Sequence, residues 1–186
     1  MHIAFFTIFL AARVVFAGGC FWGMQAVFEP LRGVERVVAG YAGGEASTAH
    51  YEMVSTGTTG HAESVEITYD PKTISFRQLL DVYFNVAHDP TQLNRQGPDE
   101  GPQYRSEIYY TTPQQRDEAA KYIADLEARH VFGAPVVTKI AALPAFYAAE
   151  PYHQDFVAHN PWNPYVVIND KPKLVKLKMT YGKWLK

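Results

Sequence analysis

The chain has 186 residues, 47% of them hydrophobic, with 17 basic side chains against 19 acidic ones and a net charge of −2. That length builds one hydrophobic core, the composition excludes a disordered chain, and the charge offers no footprint for nucleic acid or anionic membrane. One cysteine, Cys20, excludes an internal disulfide, a paired redox motif and a multi-cysteine zinc site. It is a buried spectator, an attachment point or a reactive thiol.

Residues 3 to 12 (IAFFTIFLAA) are apolar. About ten such residues are too few for a spanning helix but match the apolar region of a secretory signal. An extra apolar arm explains them equally well. A lipoprotein signal ending at Cys20 is the weakest reading, because Arg13 interrupts the run and Ala17 stands where a larger aliphatic belongs. The expected organisation is one domain over 13–186 preceded by a leader or arm at 1–12. The location is then cytoplasmic, or exported if the leader acts as a signal.

Residues 13 to 17 read as a strand, and a helix is expected from Cys20 to Leu31 after Gly18-Gly19. Residues 34 to 39 form a second strand, followed by a loop rich in Gly, Ser and Thr. Ala62 to Tyr69 alternates as a strand and stops at Asp70-Pro71. Ser75 to Ala87 has helical spacing and a capping box from Ser75 to Gln78. Ser106 to Tyr110 is a strand. Pro113 then opens a helix reaching His130, with Thr112 and Gln115 as a second capping box, and Pro135 to Ile140 is the last strand. The last 45 residues hold five prolines and are expected to wrap the core without one long element. This order predicts an α+β fold, a ferredoxin-like α/β sandwich on a split β-α-β core with a long irregular C-terminal segment.

Cys20 sits where a strand turns into a helix, and unpaired amides and the helix dipole at that position favour a thiolate. Two aromatics, Phe21 and Trp22, follow it. They are either core residues or the walls of a slot for a small apolar group.

Gly19-Cys20-Phe21-Trp22-Gly23 resembles the signature of the peptide methionine sulfoxide reductase A family, in its single-cysteine branch. Gly60-His61-Ala62-Glu63 resembles the second motif. Gln96-Gly97-Pro98-Asp99 with Gly101 and Gln103-Tyr104-Arg105-Ser106 resembles the third, and Ala149-Glu150 with Tyr152-His153-Gln154 the fourth. The likeness runs in order from about Arg13 to the C-terminus. It implies reduction of methionine (S)-S-oxide, in proteins, peptides and the free amino acid, as repair of oxidative damage. A thiolate attacks sulfur while the oxygen is protonated, leaving a sulfenic acid on the cysteine.

By this resemblance Cys20 is the nucleophile and Glu63 the acid, kept protonated by apolar walls. Tyr51 and Tyr104 donate to the sulfoxide oxygen, and Asp99 orders the Trp22 side of the pocket. Phe21 and Trp22 hold the methyl group, and Gly19 and His153 complete the substrate-binding set. No metal and no bound cofactor are implied. Where many relatives carry a resolving cysteine, this chain reads Tyr165-Val166-Val167-Ile168-Asn169-Asp170. An external thiol must then regenerate Cys20, glutathione or glutaredoxin in preference to thioredoxin. The expected partners are oxidised proteins or peptides and that thiol, with no nucleic acid, no membrane span and a monomeric chain. Three rivals stay in view: a cysteine hydrolase or acyl transferase using a histidine, a metal site at His61 and Glu63, and a lipid-anchored binding module.

Overall fold

The apolar run after Arg13 becomes an inner strand of a six-stranded sheet. In the computed structural model, which describes residues 11–186, β1 (Ala12–Gly18) is buried from Val14 to Ala17. Residues 1 to 10, most of the expected leader or arm, lie outside the described residues. Next come α1 (Phe21–Phe28), β2 (Val34–Ala42), the short α2 (Tyr51–Val54), β3 (Ala62–Tyr69) and α3 (Phe76–Val82). Two-residue strands β4 (Arg95–Gln96) and β5 (Asp99–Glu100) close a small hairpin ahead of β6 (Ser106–Tyr110) and α4 (Pro113–Ala128). The tail contributes β7 (Lys139–Ala142), β8 (Phe146–Ala148), α5 (Phe156–His159) and α6 (Lys171–Tyr181).

The sheet order is β7-β6-β1-β3-β2-β8. β1 runs antiparallel to β3, with Phe16 opposite Val65, and antiparallel to β6, with Phe16 opposite Ile108. β2 pairs antiparallel with β3, which sets Tyr41 beside Glu63. Alternation along β1 sends Val14 and Phe16 into the main core under α1, α3, α4 and α6, and Val15 and Ala17 into a second cluster with Tyr109. Both faces are covered, so the strand reads as a continuous apolar run rather than an alternating one.

Four expectations are corrected. The last strand starts at Lys139, not Pro135: proline has no amide for the ladder, and Val137 N–H donates to Pro90 O at 2.8 Å instead of to the sheet. The helix from Ser75 keeps its capping box but widens into a π turn over Tyr83–Ala87. Thr112 caps α4 by accepting from Gln115 N–H at 3.2 Å, yet Gln115 does not close a box. Its side chain accepts from Thr111 N–H at 2.8 Å and donates to Arg13 O at 2.9 Å, tying the helix start to β1. Finally, the proline-rich tail is not irregular throughout. β8 adds an edge strand to β2, and α6 continues directly from a π turn over Val166–Asp170, whose widened ladder takes up the amide that Pro172 lacks.

Candidate active site

Gly19 adopts φ +94°, and a Cβ there would meet the Gln96 side chain at 2.6 Å. Gln96 cannot give way easily, since it exchanges hydrogen bonds with the Asp89 backbone at 3.1 and 3.0 Å. The glycine therefore lets the chain leave β1 and place Cys20 at the N-cap of α1, 8% exposed. Glu63, at the start of β3 and 2% exposed, accepts the Phe21 N–H at 3.1 Å. The first amide of α1 is thus spent on the carboxyl group.

Burial pushes Glu63 up to about 8, against the pull of the Phe21 amide and with help from the charge of Asp99. The thiolate expected from helix position is reversed in the free site. Burial first, then the charge of Glu63, raises the Cys20 thiol well above its ordinary range; the Trp22 amide opposes this and Asp170 and Asp99 add to it. At neutral pH the site holds both a thiol and a carboxylic acid.

Trp22 is fixed from three sides. Its indole N–H donates to His153 Nδ1 at 3.0 Å, its face stacks on Phe156 at 3.6 Å, and Tyr165 stands edge-on at 5.8 Å. Tyr165 O–H in turn donates to Asp99, which the β4–β5 hairpin brings in. His153 is buried, packs on the Phe21 ring at 5.0 Å and the Tyr51 ring at 4.5 Å, and is held below its ordinary pKa by burial. Accepting at Nδ1 leaves Nε2 as its protonated nitrogen.

Tyr51 and Tyr104 complete the cluster. Burial raises both phenols, and both feel the charges of Glu63, Cys20 and Asp99, so both are donors at neutral pH. Glu150 anchors this side: it accepts from Tyr41 O–H at 2.8 Å and from Tyr51 N–H at 2.9 Å. All nine residues expected at the site, Gly19, Cys20, Phe21, Trp22, Tyr51, Glu63, Asp99, Tyr104 and His153, gather at this one end of the sheet. Tyr41, Phe156, Tyr165 and Asp170 belong there too, and sequence reading assigned them no role. Asp170 lies against Gly23, where a Cβ would stand 2.2 Å from its Oδ1. Only its place in the tail that replaces a resolving cysteine could have drawn attention to it.

The metal site and the lipid anchor lose their residues, and His61 and His88 are unavailable to a hydrolase. His61 accepts from Gly44 N–H at 3.2 Å and bonds Glu45 O at 3.0 Å, so both ring nitrogens secure a loop. No group of metal-binding side chains occurs among the described residues. His88 is likewise spent, on Tyr83 O at 3.0 Å and Ser106 Oγ at 2.7 Å. Lipoprotein processing at Cys20 would delete β1, paired on both edges. No helix of the described residues is long and apolar enough to cross a membrane.

Comparison with known proteins agrees with this geometry. Residues 12–184 match the family described as peptide methionine sulfoxide reductase. Peptide methionine sulfoxide reductase MsrA 2 of Synechocystis is 53% identical, over 94% of this chain and 81% of its own. Its namesake from Mesorhizobium japonicum is 54% identical over 90% and 86%. Reduced Mxr1 from Saccharomyces cerevisiae superposes with a TM-score of 0.77 at 34% identity, covering 82% of this chain and 87% of the yeast one. With the thiol, the buried acid and the aromatic pocket in one place, the chain belongs to the peptide methionine sulfoxide reductase family and is an oxidoreductase of that kind.

Proposed function

We propose that Cys20 attacks the sulfur of methionine (S)-S-oxide, in proteins, peptides and the free amino acid, while Glu63 protonates the departing oxygen. The observation that carries this is the buried Glu63 carboxyl group held by the Phe21 amide next to the Cys20 turn, where burial favours its neutral form. Tyr51 and Tyr104 donate to the oxygen, stabilising the charge that develops on it. Phe21 and Trp22 hold the methyl group. Asp99, through Tyr165, and His153 keep Trp22 in place, and Gly19 opens the turn. The step balances without a net proton: sulfoxide and thiol become sulfide and sulfenic acid. Glu63 gives its proton to the sulfoxide oxygen and takes the Cys20 proton in exchange, so the raised thiol ionises only as it attacks and the carboxyl group ends the step protonated.

These 186 residues hold no second cysteine, so an external thiol regenerates Cys20, with glutathione or glutaredoxin favoured over thioredoxin. The working unit is a monomer with one domain over 13–186. Its order β6-β1-β3-β2, antiparallel at each step, supports the ferredoxin-like reading. The test is turnover of separated sulfoxide epimers with dithiothreitol, glutathione plus glutaredoxin, and thioredoxin side by side. The S epimer alone should be reduced, and Cys20→Ser should abolish the reaction. Activity retained by Cys20→Ser would overturn the assignment.

A further inference from the structure

Helix α6 is apolar on two opposite sides. Leu177 and Leu174 pack inward against the core that α1 shares. At about 100° per residue, Val175 and Met179 point away from Leu177, on the far side of the helix. They are 59% and 82% exposed, and the row continues through Pro172 to Ile168, 69% exposed. Lys176 and Lys178 flank this row on either side. From Lys171 to Lys186 the chain carries six lysines and no acidic residue. A solvent-facing helix side is normally polar, so an apolar row with a basic rim marks a contact surface.

Position says which contact. The row begins between Tyr165, edge-on to Trp22, and Asp170, packed on Gly23 in the first turn of the Cys20 helix. Lys171 extends the rim over the exposed Trp162 ring at 4.3 Å. Oxidised substrates differ from one another, whereas the reductant returns in every cycle. A fixed surface whose near end adjoins the Trp22 side of the pocket suits the constant partner.

We propose that the outer face of α6 docks a dithiol protein reductant, one whose reactive cysteine lies in an apolar patch with an acidic rim. This rests on the sulfenic acid forming at Cys20. The partner's thiol attacks the Cys20 sulfur, the S–O bond breaks, an S–S bond forms, and hydroxide leaves with the thiol proton as water. The partner's second thiol then attacks the partner's own sulfur, releasing Cys20 reduced and leaving the disulfide on the partner. The basic rim speeds encounter with an acidic surface and makes it salt-sensitive.

The experiment compares the full chain with Met179→Glu and with Lys176→Glu/Lys178→Glu, using glutaredoxin and thioredoxin as protein probes and dithiothreitol as the small thiol. Both variants should raise KM for the more effective protein probe about tenfold and leave dithiothreitol-supported turnover unchanged. Unchanged KM for the protein probe, or an equal loss with dithiothreitol, overturns the proposal. Failure of the wild type with dithiothreitol would instead strike the reductase reading itself. A photo-crosslinking residue at position 179 supplies a second measurement. An adduct with the probe protein supports docking, whereas adducts only with a second copy or with residues 1–10 overturn it.

Discussion

The site has two walls of different construction. On one, Cys20, Phe21 and Glu63 are almost fully buried and joined through backbone: a strand end, a helix start and an amide-to-carboxylate bond. On the other, Tyr51, Asp99, Tyr104 and Tyr165 are partly exposed and reach the pocket from short helical turns, a two-residue strand and the tail. Side-chain contacts hold most of that second wall, Tyr165 on Asp99 and Phe156 on Trp22 among them. The difference separates tasks. A nucleophile and an acid need fixed spacing and a dry setting, and backbone supplies both. The wall that receives varied peptides is assembled from parts that can shift individually.

On this division, damage to the first wall lowers kcat, and damage to the Trp22 side of the second, held by Phe156, Tyr165 and Asp99, raises KM. The largest effect is expected for Glu63→Gln, which keeps the shape and removes the proton donor. Its kcat should fall by about 10²–10⁴-fold, measured in single-turnover assays with dithiothreitol. A raised KM with kcat unchanged would place Glu63 in binding rather than proton transfer. For the wild type, kcat/KM should hold below about pH 8 and decline above it as Glu63 of the free site ionises. A profile flat to pH 10 would contradict that.

Phe156→Ala is the matching probe of the second wall. Removing the ring stacked on Trp22 should raise the substrate KM about fivefold with a smaller change in kcat, in line with roughly 1 kcal/mol for an aromatic pair. Equal effects on both constants would merge the two walls.

Stability gives a further contrast. Glu63 has a folded pKa raised from near 4.5 to about 8, so its favourable contribution is complete below pH 4.5 and is lost as pH rises through 8. Glu63→Gln should therefore be more stable than wild type by a few kcal/mol at pH 8 and nearly equal at pH 4.5. Thermal melts at the two pH values decide this. The smallest effect belongs outside both walls: Thr112→Ala removes the α4 cap and should cost about 1 kcal/mol in urea unfolding, with kinetics unchanged.

Much of the fold was legible from local pattern. β3 and β6 have the bounds that alternation and turn residues indicate, because those signals lie within the segments themselves. The start of β7 was not, since the amide of Val137 is claimed by Pro90 far back in the chain. Nor was α6: proline spacing suggested disruption, and only the folded chain shows Pro172 carried by the π turn of Val166–Asp170 while Leu174 and Leu177 pack on the core. At the site, ordered motifs pointed to nine residues. Phe156 and Tyr165 stayed hidden, because an aromatic among 26 gains its role from the ring it meets.

The sequence by itself determined that there is one sulfur nucleophile to consider within these 186 residues and no second cysteine to resolve it. That is stoichiometry and needs no coordinates. The protonation of the site was decided by tertiary structure alone. Helix position argued for a thiolate at Cys20. Burial, with Glu63, Asp99 and Asp170 gathered around the sulfur, produces a thiol beside a carboxylic acid. Desolvation and charge repulsion depend on what packs around a group, and those neighbours come from strands, loops and a tail that meet only in the folded chain.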